Sequence, residues 1–257
     1  MLEGHISKSF DGDILNLRMR VLAMGGLAID QVQRAVQGLV RDDDDLSREV
    51  IARSAQMSGY SQAVDDEIIQ LIARRQPVAS DLRTVLTVGR VASDLERVGN
   101  AARKIARLSI ELHGVTETVP VHKLYNDVRK MSRLALALLR EALDAFDRVD
   151  VEAAQQTARR DQELDAEFQL ALRELVTYVM EDPRHLRTTI QIVFLIKALE
   201  RVGDHARNIA TNVSRLVRRD EGAPAVNGAG PHLGSEPGAG SDALATRPDP
   251  APAPRVG

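Results

Sequence analysis

Neither cysteine nor tryptophan occurs among the 257 residues, and aromatic side chains make up only 3% of the chain. Without cysteine there is no disulfide framework and no thiolate chemistry, which suits a reducing compartment. With so few rings, any core must be built from aliphatic side chains. No stretch is long and apolar enough to span a bilayer. The opening Met1-Leu2-Glu3-Gly4-His5 lacks the basic segment and apolar run of a secretory leader. The formal net charge of -3 provides no basic field for nucleic acid. A glycine-rich nucleotide loop and a nucleophile elbow are missing as well. The histidines (His5, His113, His122, His185, His205 and His232) share no metal-ligand spacing and read as surface or satisfied residues. These absences leave a soluble, cytoplasmic protein that is not an enzyme as the expectation.

What the chain does have is the vocabulary of long packed helices. Ala, Leu, Val, Arg, Glu and Asp dominate, and the unbranched among them lose little rotamer freedom in a helix. Apolar periodicity predicts six helices: about Asp13 to Leu39, Leu46 to Ala73, Pro77 to Leu112, Lys123 to Phe146, Val151 to Met180 and Pro183 to Arg219. Leu15, Met19, Leu22, Gly26, Ile29 and Val32 form the expected stripe of the first helix. An aspartate of Asp42-Asp43-Asp44-Asp45 is expected to cap the second helix rather than bind a cation. Pro77 and Pro183 mark equivalent breaks. Each helix has one apolar stripe to cover, so three antiparallel helices per half suffice. The predicted fold is all-α, two repeated three-helix bundles over residues 1–115 and 116–220. Residues 221–257, rich in Pro, Gly and Ala, are predicted to be a disordered tail.

The repeat carries the most information. Leu95-Glu96-Arg97-Val98-Gly99 returns as Leu199-Glu200-Arg201-Val202-Gly203, 104 residues later. Core packing alone would keep the apolar positions and let Glu, Arg and Gly drift. Glycine inside a helix costs on the order of 1 kcal/mol, so its recurrence at 99 and 203 predicts a close helix approach there. Gly25-Gly26 is read in the same way, as close packing or a dimer seam. Asp65 and Asp165 are aligned as equivalents, which implies about one extra helical turn in the second half. In a helix Glu96 and Asn100 share a face, as do Glu200 and Asp204. Glu200 and Asp204 repel each other, so they need a cation. Either Arg201, Arg207 or a neighbouring arginine pairs with them, or a hard or iron-like metal ion does. On the chemistry alone the salt bridge is slightly favoured. His205, about 100° round the helix, is expected to face elsewhere. The Glu-x-x-His pattern of di-iron bundles is absent, which argues against oxidase chemistry.

Three segments carry a resemblance. Arg75-Gln76-Pro77-Val78-Ala79-Ser80-Asp81-Leu82-Arg83, Asp94-Leu95-Glu96-Arg97-Val98-Gly99-Asn100 and Glu200 through Ala210 closely resemble the PhoU family of bacterial phosphate-uptake regulators, over roughly residues 3 to 218. The resemblance implies two similar three-helix bundles, frequent homodimers, and a cytoplasmic protein at the inner face of the plasma membrane. It implies partners there: the ATPase side of the Pst phosphate ABC transporter and a PhoR-type sensor histidine kinase. It further implies negative regulation of phosphate uptake and of the phosphate-starvation response. The family's E(D)-x-x-x-D motif, which holds iron or zinc clusters in some members, maps onto Asp94, Glu96 and Asn100 and onto Glu200 and Asp204. Asn100 replaces the usual closing Asp, and Ala198 stands where the first copy has Asp94. The competing class is a carboxylate-cluster metal protein with a storage or hydrolytic role. Arg97, Arg103, Arg201 and Arg207 are candidate docking positions.

Overall fold

One turn of the same design organises each half. At the end of the first helix the amide of Asp43 donates to Gly38 O (2.9 Å), and at the end of the fourth that of Asp150 donates to Ala145 O (2.9 Å). Both turns pass through a residue with positive φ, Asp42 at 58° and Val149 at 54°. Each is the six-to-one closure that satisfies the last carbonyls of a helix. The next side chain then caps the following helix: Asp43 accepts from Leu46 N (2.9 Å) and Asp150 from Ala153 N (3.0 Å). The expected aspartate cap is therefore present, supplied by Asp43.

The computed structural model describes residues 3–113 and 121–217. The elements in order are α1 (Glu3–Arg41), α2 (Asp44–Arg75), α3 (Ala79–His113), α4 (Val121–Arg148), α5 (Val151–Glu181) and α6 (Leu186–Val217), with a single 3-10 turn at Pro183–His185. No strand occurs among the described residues. The expected linker at 116–120 and the expected tail at 221–257 lie outside them. Helix α1 starts ten residues before the expected Asp13.

Helices α1, α2 and α3 pack on one another, and α4, α5 and α6 do the same. The two three-helix bundles meet through α1 on α4 and α3 on α6, while α2 and α5 touch only helices of their own half. Both bundles belong to one compact unit. Ion pairs seal the bundle flanks, among them Arg20–Glu67 (2.6 Å) between α1 and α2 and Lys130–Glu167 (2.6 Å) between α4 and α5.

The phase of the α1 stripe differs from expectation. Leu17, Val21, Met24, Ala28, Val32, Ala35 and Leu39 are buried, whereas Leu15 and Met19 are exposed. Apolar periodicity also puts Leu86 on the stripe of the third helix and Leu186 and Ile190 on that of the sixth, and all three are exposed. A helix that buries one side in its own bundle and another against the second bundle has no single stripe, so a one-face reading chooses the wrong phase.

The glycine expectations hold in a specific way. A Cβ on Gly99 would lie 2.8 Å from Met57 Cγ of α2, and one on Gly203 would collide with Leu164 Cδ2 of α5. A Cβ on Gly25 would lie 2.7 Å from Leu143 Cδ1 of α4, so Gly25 marks the contact between the two halves of one chain; Gly26 faces open space. These contacts also correct the alignment of the halves. Met57 matches Leu164 and Asp43 matches Asp150, an offset of 107 residues, so the counterpart of Asp165 is Ser58 and not Asp65. The offset falls to 104 in the third helices. The second half is thus shorter after α5, where the Asp182-capped 3-10 turn replaces the left-handed Gln76 cap of α2.

Three substitutions test these contacts and turns. Gly203→Ala gains about 1 kcal/mol of helix propensity but overpacks fully buried Leu164 by about 1–3 kcal/mol, so it should lower the urea midpoint. Gly99→Ala should be milder, because Met57 is flexible. Val149→Asn should raise stability by about 1 kcal/mol, since a β-branched residue is strained at positive φ; an unchanged midpoint would show that the turn carries no strain.

Candidate functional site

Helices α3 and α6 cross in antiparallel register. His205 Nδ1 lies 3.0 Å from Asp94 Oδ1, Lys104 Nζ sits 4.8 Å over the Phe194 ring, and Gln191 Nε2 donates to Glu111 Oε2 (3.2 Å). Residue numbers rise along α3 as they fall along α6, so Arg97 and its repeat partner Arg201 come level at the midpoint. The duplicated segment is thus the crossing itself. One face of each copy turns to the opposite copy, and Glu96 and Glu200 turn towards α2 and α5 respectively.

The two acidic faces have different company. In the first half Ser58 Oγ of α2 donates to Glu96 Oε1 (2.7 Å). Asn100 is exposed beside Arg97, Lys104 and Arg201, which with Glu96 line a cavity of about 410 Å³. Asp94 is not part of this group; it faces His205 across the crossing. So His205 does face away from Glu200 and Asp204, as expected, and its partner is the acid of the other copy. The sequence-predicted set Asp94, Glu96 and Asn100 is split between two surroundings, one of them basic.

In the second half, α5 brings Asp161 and Asp165 to the Glu200–Asp204 face. Asp161 is 2% exposed and Glu200 is 9% exposed. Glu200 Oε1 accepts from Lys197 Nζ (2.5 Å), and Asp204 Oδ1 accepts from Arg207 Nη2 (3.1 Å). Arg207 Nη1 also approaches Asp161 Oδ2 to 3.0 Å, outside hydrogen-bonding geometry, so that oxygen has ion-pair contact without an accepted bond. Glu200 Oε2 is buried with no hydrogen-bond partner. Desolvation pushes the Asp161 carboxyl up to about 6, against the pull of Arg207 and with the repulsion of Asp165, Asp204 and Glu200. Arg207 at i+3 from Asp204, expected as the compensating cation, therefore serves two carboxylates. Sequence reasoning missed Asp161 and gave Asp165 the wrong counterpart. The 107-residue offset, had it been read from the matching turns, would have flagged both.

The donor sets differ in the same way. Hard oxygen ligands at Asp161, Asp165, Glu200 and Asp204, two of them with buried oxygens that accept no hydrogen bond, suit a divalent or trivalent cation. Their counterparts Ser54, Ser58, Glu96 and Asn100 offer a single carboxylate and do not suit one. Among the described residues, no three His, Asp or Glu side chains converge as a preformed ligand set. A cation in the second half would have to displace Lys197 and Arg207 from their carboxylates.

A family profile described as PhoU domain matches residues 21–109 and 128–213. A phosphate-specific transport system accessory protein PhoU homolog of Pseudomonas aeruginosa is 42% identical, over 84% of this chain and 88% of its own. The Escherichia coli accessory protein PhoU is 33% identical over the same shares. Among solved structures, PhoU from Pseudomonas aeruginosa superposes with a TM-score of 0.78 at 41% identity, covering 82% of this chain and 99% of its own. A phosphate transport system regulatory protein PhoU from Streptococcus pneumoniae shares the fold, with a TM-score of 0.73 at 24% identity.

The raised carboxyl gives a pH test. Folded Asp161 binds its proton more tightly than the unfolded chain does, so its contribution is full below about pH 4 and is lost as pH rises through about 6. Two units amount to on the order of 3 kcal/mol. In chelator-treated protein, Asp161→Asn should gain on wild type in urea denaturation as pH moves from 4 to 7. Parallel curves for the two proteins would refute the buried charge.

Proposed function

The chain belongs to the PhoU domain family, and from that premise we propose that it regulates phosphate-specific uptake as an accessory protein of the transporter. The observation that carries this reading is the match to PhoU accessory proteins across 84% of the chain, both halves included. In its finer form, the protein is a negative regulator that links the ATPase subunit of a Pst-type transporter to a PhoR-type sensor histidine kinase. It restrains uptake and the phosphate-starvation response when phosphate is plentiful, without catalysing a reaction itself. It acts in the cytoplasm as a homodimer, at the inner membrane face only through its partners; no described helix is long and apolar enough to cross a membrane. Arg97, Arg103 and Arg201 are its docking candidates.

A second reading concerns metal. The buried oxygens of Glu200 and Asp161 that accept no hydrogen bond favour iron or zinc at Asp161, Asp165, Glu200 and Asp204, the place the sequence assigned to Glu200 and Asp204 alone. The cation would neutralise the carboxylate cluster and brace α5 against α6. A matching centre at Asp94, Glu96 and Asn100 has less support, because Lys104, Arg97 and Arg201 surround the latter two.

Deleting the gene should raise phosphate-regulon expression in phosphate-rich medium, and unchanged expression would sink the regulatory reading. Elemental analysis of untagged protein should find iron or zinc that is lost in Glu200→Ala and retained in Glu96→Ala. Metal-free, folded wild type would assign these acids to salt bridges and docking.

A further inference from the structure

On one side of the α3–α6 crossing lies an open cavity of about 360 Å³ lined by polar and charged residues. Arg90 and Arg97 reach it from α3, and Arg215, Asn208 and Asn212 from α6. Some basic side chains that flank a bundle are tied to a carboxylate of a neighbouring helix, among them Arg20, Arg34, Arg53, Lys130 and Arg160. Arg90, Arg97 and Arg215 have no such partner among the described residues, and all three are exposed. Three guanidinium groups line one cavity with no carboxylate bonded to any of them, which leaves a net positive charge there. Guanidinium forks match the paired oxygens of phosphate and carboxylate, and the bonds are charge-assisted. The amides of Asn208 and Asn212 add neutral donors.

The same wall holds one acid. Asp94 is mostly buried and fixed through one oxygen by His205 Nδ1 at 3.0 Å. An ionised carboxylate is an acceptor only, so in a ring of donors it repels any anion that has no proton to offer. Sulfate and simple carboxylates carry none at neutral pH. Inorganic phosphate does, because only its second proton comes off near neutrality and the last stays on, and a phosphate monoester keeps its last proton in part. The acid thus selects within the class that the arginines attract. This cavity is separate from the Asp161–Glu200 cluster, and its reading does not rest on the transporter-accessory role.

We propose that the α3–α6 cavity binds a phosphate group, free or at the end of a larger phosphorylated molecule. Arg90, Arg97 and Arg215 hold its oxygens, and Asp94 accepts the proton that phosphate keeps and sulfate lacks. The ligand bridges both copies of the repeated helix at their crossing, so occupancy stiffens the contact on which the two halves meet.

The test is calorimetric titration of the full chain, treated with chelator so that no metal offers phosphate another site. Inorganic phosphate, pyrophosphate and sulfate are titrated in turn, at neutral pH in a phosphate-free buffer. The expected result is saturable binding of phosphate with sulfate much weaker. Arg97→Ala and Arg215→Ala, at exposed positions that leave the fold intact, should each weaken it by roughly tenfold. Arg97→Lys, which keeps the charge and loses the fork, should fall between. Asp94→Asn, with a thermal melt to confirm folding, should let sulfate compete. Binding of pyrophosphate but not of phosphate, lost in the same arginine variants, keeps the site and assigns it to a larger phosphorylated molecule. The proposal is overturned if neither phosphate nor pyrophosphate saturates, if the arginine variants bind like wild type, or if wild type takes sulfate as readily as phosphate.

Discussion

The antiparallel crossing of α3 on α6 is the contact from which the rest of the molecule is built. A helix that packs against its own duplicate must offer the same face to itself, so residues near the midpoint are constrained twice. Arg97 and Arg201 lie level there, and the glycines two residues on turn away towards α2 and α5. Each glycine admits a large side chain, Met57 or Leu164, that locks the outer helix of its half to the crossing helix. Moving either helix by one residue would break the inner contact and the outer one together. The Leu-Glu-Arg-Val-Gly repeat is therefore a packing device before it is a functional one.

Given that scaffold, the polar positions were free to diverge, and they have. Around Glu200 the outer helix contributes Asp161 and Asp165, and the result is a crowded acidic cluster held by Lys197 and Arg207. Around Glu96 it contributes Ser54 and Ser58, and the neighbouring surface is basic. Burial decides the difference in consequence. A carboxylate at the surface costs little, whereas Asp161 at 2% exposure is pushed towards its neutral form. The molecule is symmetrical in its backbone plan and asymmetrical in its charge.

The inter-half contacts explain why single-stripe reasoning fails for α1, α3 and α6. These helices are covered on two sides, and their apolar residues spread round the helix until the phase is ambiguous. The outer helices α2 and α5, which touch only their own half, keep the simpler pattern. Even so, Ile69 of α2 and Val176 and Met180 of α5 lie in the open. Exposed apolar side chains of this kind are ordinary and do not redirect the fold.

Local chemistry made the helices legible. Asp43 before Leu46, the proline breaks at Pro77 and Pro183, and the duplicated glycines each act within a few residues, so the six elements, the all-α class and the close approaches at Gly99 and Gly203 could be read from the sequence. The resemblance in the repeated motif likewise pointed to the family. What tertiary structure alone decided is which side chains meet. Asp161 and Glu200 are 39 positions apart on different helices, and only the rotation and register of α5 on α6 bring them to one face. Asp94 and His205 are still farther apart, 111 positions, and nothing local to either signals that they meet. Helix formation depends on neighbours along the chain, whereas a site depends on the relative rotation of packed helices, and the apolar pattern of a helix buried on two sides leaves that rotation undetermined.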